Sequence, residues 1–196
     1  ITAIDAGTGG SLSILPAAII REHCFLQIRM ICELIALGCL VAHGDIEKAT
    51  RLKKVWETGK IIDELEKLHP DFFPKAMRQE QDQFGKDHHG LHGKEDTLTK
   101  EAFLKMYREC GGYLHKGSLK NLLKHNSPIQ INFPEITARA QKLNDFLEVH
   151  AIMMFGAEMF FVCVLRNRND SLKTQVAILE KSALPRPSHA PLSKRR

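Results

Sequence analysis

From Pro16, whose fixed φ suits a first helical turn, apolar residues recur at Ile20, Cys24, Ile28, Ile31, Leu34, Ile35, Gly38 and Val41 until His43-Gly44 ends the pattern. That spacing predicts one long helix at the centre of the fold, because a helix so rich in apolar residues needs partners to cover it. Cys24, Cys32 and Cys39 stand eight and seven residues apart and share one helical face. They are expected to act as small buried apolar groups rather than as a thiol relay. The two longest apolar runs, Ile31 to Ala42 and Ala151 to Leu165, are interrupted by Glu33 and Glu158. Both fall short of the roughly 18 residues that a membrane-spanning helix requires, so no membrane span is expected.

At 196 residues, with 43% hydrophobic and 26% charged, the chain is long enough for one well-filled globular core and short for two. The expected division is a flexible N-terminal segment over 1–15, a single domain over 16–182, and a basic, proline-rich tail over 183–196. The net charge of +5 is a mild bias towards polyanions, and much of it is local to Arg186, Lys194, Arg195 and Arg196 in that tail. Five cysteines, odd in number and without a C-x-x-C pair, point to a reducing compartment. With no basic-then-apolar secretory pattern before the first helix, the expected location is cytoplasmic. Gly7-Thr8-Gly9-Gly10 has the glycines of a phosphate loop but lacks the Gly-Lys-Ser/Thr that should follow.

Further along, Asp45 can cap a second helix carrying Leu52, Val55, Trp56, Ile61, Ile62, Leu65 and Leu68 before Pro70 closes it. The stretch from Pro74 to Thr97 is polar, and residues 78–96 read as an exposed, weakly ordered loop. Thr99 is a natural N-cap, with Leu98 able to staple onto Phe103. The helix it starts should weaken or break at Gly111-Gly112. A short helix near Leu119 to Lys124 and another from Pro134 to about Val149 follow, the second with Ile136, Ala140, Leu143, Phe146 and Leu147 on one face. Met159–Leu165 and Thr174–Leu179 are dense in β-branched and aromatic residues around the turn-forming Asn-Arg-Asn-Asp, and predict an antiparallel hairpin. The expected class is mainly α, strictly α+β: a helical bundle with a C-terminal β-hairpin.

The sharpest candidate for chemistry is Arg108-Glu109-Cys110-Gly111-Gly112-Tyr113-Leu114-His115. A histidine can exchange protons near neutral pH, and an arginine offers a planar fork of donors to a phosphorane. Such a pair can cleave RNA through the ribose 2′-OH with no metal. The spacing is weak by itself: eleven arginines and three acceptable gaps give about one or two chance matches in a chain of this composition.

Around this pair, Leu98-Thr99-Lys100-Glu101-Ala102-Phe103, Tyr107 to Gly111 and Leu114-His115-Lys116, with Arg29 to Ala36 and Leu68 to Pro74, resemble a group of uncharacterised bacterial proteins. Those are similar in turn to the HEPN superfamily of helical-bundle domains. The similarity is spread over residues 20–180 as short separate matches. The resemblance implies a four-helix core and, in active members, a metal-independent endoribonuclease of toxin or phage-defence type, its paired Arg and His facing a dimer cleft. By that motif Arg108 would stabilise the phosphate and His115 would act as general base or acid, with Glu109, Tyr113 and Lys116 as candidate helpers. The pattern departs at Glu109, where active members favour Asn, Asp or His. The alternative within the same fold is a non-catalytic module that recruits protein or RNA. Expected partners are RNA, a second copy of the chain in a homodimer, and an antitoxin-like protein; no cofactor is expected.

Two other groups are weaker. His88, His89 and His92 with Asp87 and Asp96 have metal-compatible spacing, but their flanking glycines would leave ligands unheld, and a solvated loop without metal is expected. Glu33 is expected to pair with Arg29 one helical turn earlier.

Overall fold

Pro16 caps the central helix, α2, with φ −55° and ψ 135°, and the helix runs Ala17–Ala42 until His43 leaves helical geometry. The computed structural model describes residues 2–9, 15–44, 55, 57–81, 87–94, 97–114, 132–156, 159–165 and 174–180. Among them are α1 (Thr2–Thr8), α2, α3 (Thr58–Leu68), β1 (Lys75–Gln81), β2 (Asp87–Gly93), α4 (Lys100–Leu114), α5 (Phe133–Glu148), β3 (Val149–Met153), β4 (Met159–Val164) and β5 (Gln175–Glu180). The architecture is α+β. α1, α3, α4 and α5 all pack against α2.

Burial follows residue chemistry on one side of α2. Ile20, Cys24, Phe25, Ile28, Cys32, Ile35, Ala36, Cys39 and Leu40 are buried, and the three cysteines share that face as expected. Each fully covered aliphatic side chain contributes about 1.5–3 kcal/mol. Burial pushes the thiols of Cys32 and Cys39 up to about 12, which keeps them protonated and inert. The outer side departs from expectation. Leu34 and Val41, assigned by periodicity to the core stripe, are 65% and 79% exposed, and Gly38 is exposed beside them. Ile19, Leu26, Met30 and Leu37 are exposed too. α2 is apolar on both faces, and periodicity alone cannot say which face is covered.

By length and composition alone α2 is long and apolar enough to cross a bilayer: one 18-residue window has a mean hydropathy of 1.9. Uninterrupted apolar runs understate this, because a helix reads through the single charges that interrupt them. Within the fold, 44% of the window is buried.

The partner helices begin where local chemistry says they should. Thr99 accepts a hydrogen bond from Ala102 N at 3.2 Å, and Leu98 and Phe103 are both buried in the main core. Asn132 accepts from Glu135 N at 3.2 Å to start α5, whose Ile136, Ala140, Leu143 and Phe146 are buried. α3 buries Thr58, Ile61, Ile62 and Leu65. Val55 and Glu57 are not helical, so this helix starts later than predicted, and Asp45, Leu52 and Trp56 lie outside the described residues.

Four regions correct the sequence reading. Residues 2–8, expected as flexible lead-in, form α1, which packs on α2 and α5 and buries Ile4 completely. The supposed loop over 78–96 contains most of an antiparallel hairpin, β1 with β2, with a register shift between Gln79 and Glu80. α4 does not break at Gly111-Gly112 but continues to Leu114. α5 ends at Glu148, within a residue of the expected end, and Val149–Met153 after it forms a strand that the sequence reading did not assign.

The predicted C-terminal hairpin is present, with β4 and β5 antiparallel and in register from Met159↔Glu180 to Val164↔Gln175. It belongs to a larger sheet of order β2-β1-β3-β4-β5, antiparallel throughout. Val149, Ala151, Val162 and Val164 form a small cluster of their own, packed by Met77, Phe160 and Leu179. His150, Ile152 and Cys163 instead contribute to a groove shared with α2. His43 ties the helical layer to the sheet: its Nδ1 lies 2.7 Å from Cys39 O and its Nε2 lies 3.0 Å from Met153 O. Both partners are carbonyls, so the ring nitrogen that carries the proton is the one that donates.

Candidate functional site

α4 carries the predicted pair, and its unbroken course fixes where the first member sits. Arg108 is exposed on the outer side of the helix, and its Nε donates to Leu104 O at 3.1 Å, a carbonyl of its own helix. No contact among the described residues holds its guanidinium towards a substrate. His115 and Lys116 lie outside the described residues.

Glu109, the departure from the active pattern, faces away from any free role. Its Oε2 lies 2.8 Å from Arg139 Nη2, and Lys105 approaches at 3.9 Å. The same Arg139 nitrogen reaches Glu135 Oε1 at 2.5 Å, so one guanidinium on α5 joins two carboxylates. Burial alone would lower the Arg139 pKa, but Glu135 and Glu109 outweigh it and hold it above the ordinary value. The negative charge of Glu109 is therefore offset locally.

Tyr113 stacks on Phe25 of α2, with ring centroids 4.2 Å apart and planes 13° apart. Arg21 lies 5.8 Å from the Tyr113 ring centroid and Arg139 lies 6.0 Å from that of Phe25. These rings and cations join α2, α4 and α5, and stacked pairs of this kind add about 0.5–1.5 kcal/mol beyond area burial. Tyr113 is thereby anchored as a packing residue.

One turn later on α2, Arg29 makes the predicted pair with Glu33 at 3.0 Å and also donates from Nη2 to Tyr107 Oη at 3.0 Å, with its guanidinium carbon 4.8 Å from that ring. A Cβ on Gly111 would stand 2.8 Å from Arg29 Nη1. Gly111 is the place where the guanidinium lies against the α4 backbone, and Gly112 faces open space. This close approach explains one of the two glycines that suggested a helix break. Cys110, buried beside Arg139, has its thiol pushed up to about 11 by burial, which outweighs the arginine. It is not a thiolate nucleophile at neutral pH.

No family model, no curated protein and no solved structure matches this chain.

The structure thus brings Glu109 and Tyr113 together with Arg139 and Phe25 at the α2–α4–α5 junction, sets Arg29 with Glu33 and Tyr107 beside them, and leaves Arg108 outside both groups. Sequence reasoning missed Arg21, Phe25 and Arg139. Only Glu135 and Arg139, four residues apart, left a local signal, and it identifies a helix-surface pair rather than the bridge to Glu109. Among the described residues, no three His, Cys, Asp or Glu are placed to hold a metal ion. His88, His89 and His92 fall on β2, and their side chains lie outside what is described.

The other feature of the surface is apolar. A groove of about 310 Å³ opens beside Ile31, Leu34 and Gly38 of α2 and is walled by Ile152, Leu165 and Val176. His150 lines it; burial lowers its pKa, and its Nδ1 lies 3.1 Å from Leu147 O. The groove is continuous through Leu34 with the exposed outer face of α2.

Proposed function

We propose that this chain is a non-catalytic, HEPN-like interaction module whose working surface is the outer face of α2. The observation that carries this reading is the row of Ile19, Leu26, Met30, Leu34, Leu37 and Val41, each exposed by 43% or more. Scattered surface apolar residues are ordinary, but a contiguous row on one helix, continuous with an apolar groove, is what a polypeptide partner covers. The charged groups next to the predicted pair support the same reading, since Glu109 with Arg139 bridges α4 to α5, and Arg29, paired with Glu33 within α2, donates across to Tyr107 of α4.

The second reading is the metal-independent ribonuclease. Two observations favour it: α4 continues unbroken past Arg108, and the charge of Glu109 is offset by Arg139. In that reading Arg108 holds the phosphate and His115 moves the proton.

One experiment separates the two. A mixed single-stranded RNA pool is incubated with the full chain without divalent metal. The module leaves it intact. Appearance of 2′,3′-cyclic phosphate ends, with loss of on the order of a hundredfold or more in rate in both Arg108→Ala and His115→Ala, would establish the ribonuclease. The surface itself is tested by Leu34→Glu, which should abolish association of the chain while leaving its helix content unchanged.

A further inference from the structure

We propose that the groove between α2 and the sheet binds a small uncharged molecule, apolar except for one hydroxyl or N–H that donates to His150 Nε2. The site lies beside the partner surface and does not depend on it. Of the exposed row on α2, only Leu34 belongs to both.

The walls follow from helix and strand periodicity. Ile31, Leu34, Ile35 and Gly38 stand at i, i+3, i+4 and i+7, so one stripe of α2 is turned to the sheet. Opposite it, His150, Cys163 and Val176 form a cross-strand row, since His150 stands against Cys163 and Cys163 against Val176. Side chains from such a stripe and such a row ordinarily meet. At Gly38 the helix supplies none. Glycine weakens a helix interior more than any residue except proline, and a Cβ added here would meet nothing within 4 Å. Gly111 is explained by the Arg29 guanidinium lying against it, whereas no neighbour demands a glycine at 38. What the bare backbone provides there is room in the groove.

That room and its lining define what fits. About 310 Å³ is at the small end of the range of ligand sites and equals the space of about ten waters, which suits a molecule of about ten non-hydrogen atoms. No Asp, Glu, Lys or Arg lines it, so a charged ligand would lose its hydration and gain no ionic partner. Of the polar side chains on the lining, Cys163, Thr174 and His150, only His150 is buried. Its ring is stacked on Phe146, with centroids 6.4 Å apart and planes 11° apart. Its Nδ1 lies 3.1 Å from Leu147 O, and a carbonyl can only accept, so the ring proton sits on Nδ1. Nε2 is then a lone-pair acceptor, and burial, by lowering the pKa, keeps it so at neutral pH. It has no partner among the described residues and is not one of the sealed unpartnered atoms, so it opens on the solvent that fills the groove. A ligand hydroxyl or N–H satisfies it. An ether oxygen does not.

The test is equilibrium dialysis of the full chain at neutral pH against 2-naphthol, its methyl ether and 2-naphthoate, which share one ring system and differ in the donor and the charge. Wild type binds 2-naphthol at one site per chain with a dissociation constant on the order of ten to a hundred micromolar. The ether binds about tenfold more weakly, and 2-naphthoate on the order of a hundredfold more weakly. Gly38→Leu fills the groove and abolishes binding without lowering the melting temperature. His150→Phe keeps a ring beside Phe146 but removes the acceptor, so 2-naphthol falls to the affinity of its ether. Failure of wild type to bind 2-naphthol, or binding that survives Gly38→Leu as adsorption on the outer face of α2 would, overturns the site. Equal wild-type affinities for 2-naphthol and its ether overturn the role of His150, and tighter binding of 2-naphthoate makes an anionic amphiphile the occupant and overturns the uncharged ligand. The partner surface is judged separately by Leu34→Glu, since Gly38→Leu adds no charge to the exposed row.

Discussion

The two faces of α2 are made of nearly the same residue types and have opposite fates. The inner face places Ile28, Cys24 and Cys32 fully out of water, whereas the outer face leaves Leu34 and Val41 largely in it. Hydrophobicity therefore does not distinguish them. Partners do: α1, α3, α4 and α5 converge on the inner side, and Arg29 and Phe25 lock its flank to α4 by contacts with Tyr107, Gly111 and Tyr113.

The comparison breaks most visibly in stability. Ile28→Ala should lower the unfolding free energy by about 2–5 kcal/mol, whereas Leu34→Ala should change it by less than about 0.5 kcal/mol when the chain is kept dilute enough to be monomeric. Urea denaturation measures both. Equal losses would mean that the outer face is covered within the single chain.

A smaller effect sharpens the account of the flank. Gly112→Ala faces open space in the last turn of α4 and should stabilise by up to about 1 kcal/mol. Gly111→Ala gains the same helix propensity but pushes the Arg29 guanidinium away from Tyr107, a loss of about 1 kcal/mol that leaves it near wild type. Thermal melts of the two variants should therefore differ. If they match, the Arg29 contact contributes nothing.

The smallest effect is one of pH and belongs to the groove side. Burial lowers the pKa of His150, and burial with His43 nearby lowers that of His69. The unfolded chain then binds these protons more readily than the fold does. Stability from both groups is fully present above the ordinary histidine pKa of about 6.5 and is lost as pH falls through the window between that value and the lower folded ones. Melting temperature should fall from pH 8 to pH 5, more gently in His150→Gln than in wild type. An identical slope in the variant would remove His150 from the account.

Local chemistry in the sequence was enough for several elements. Pro16, Thr99 and Asn132 stand at helix starts, the periodicity of Ile136 to Phe146 marks α5, and the β-branched run around Val162 and Val164 marks β4. These signals act within a few residues of the chain and survive any arrangement of the rest. The same holds for the Arg29–Glu33 pair and for the three cysteines of α2, which one helix brings to a common face. The candidate site was legible only as a spacing, Arg108 with His115, and that spacing carried no information about what Arg108 touches.

The remainder depended on groups far apart in the chain. β1 and β2 carry polar, glycine-bounded sequence with weak strand character, yet they extend a sheet because Lys75 and Ala76 meet Ala151 and His150, about 75 residues away. Gly111 reads locally as a helix breaker, yet it is the place where Arg29, 82 positions earlier, lies against α4. The choice of which face of α2 to cover was likewise made by the docking of four other helices. A sequence records the intrinsic preferences of each segment, but a burial pattern is a property of two surfaces in contact, and the second surface enters only with the tertiary fold.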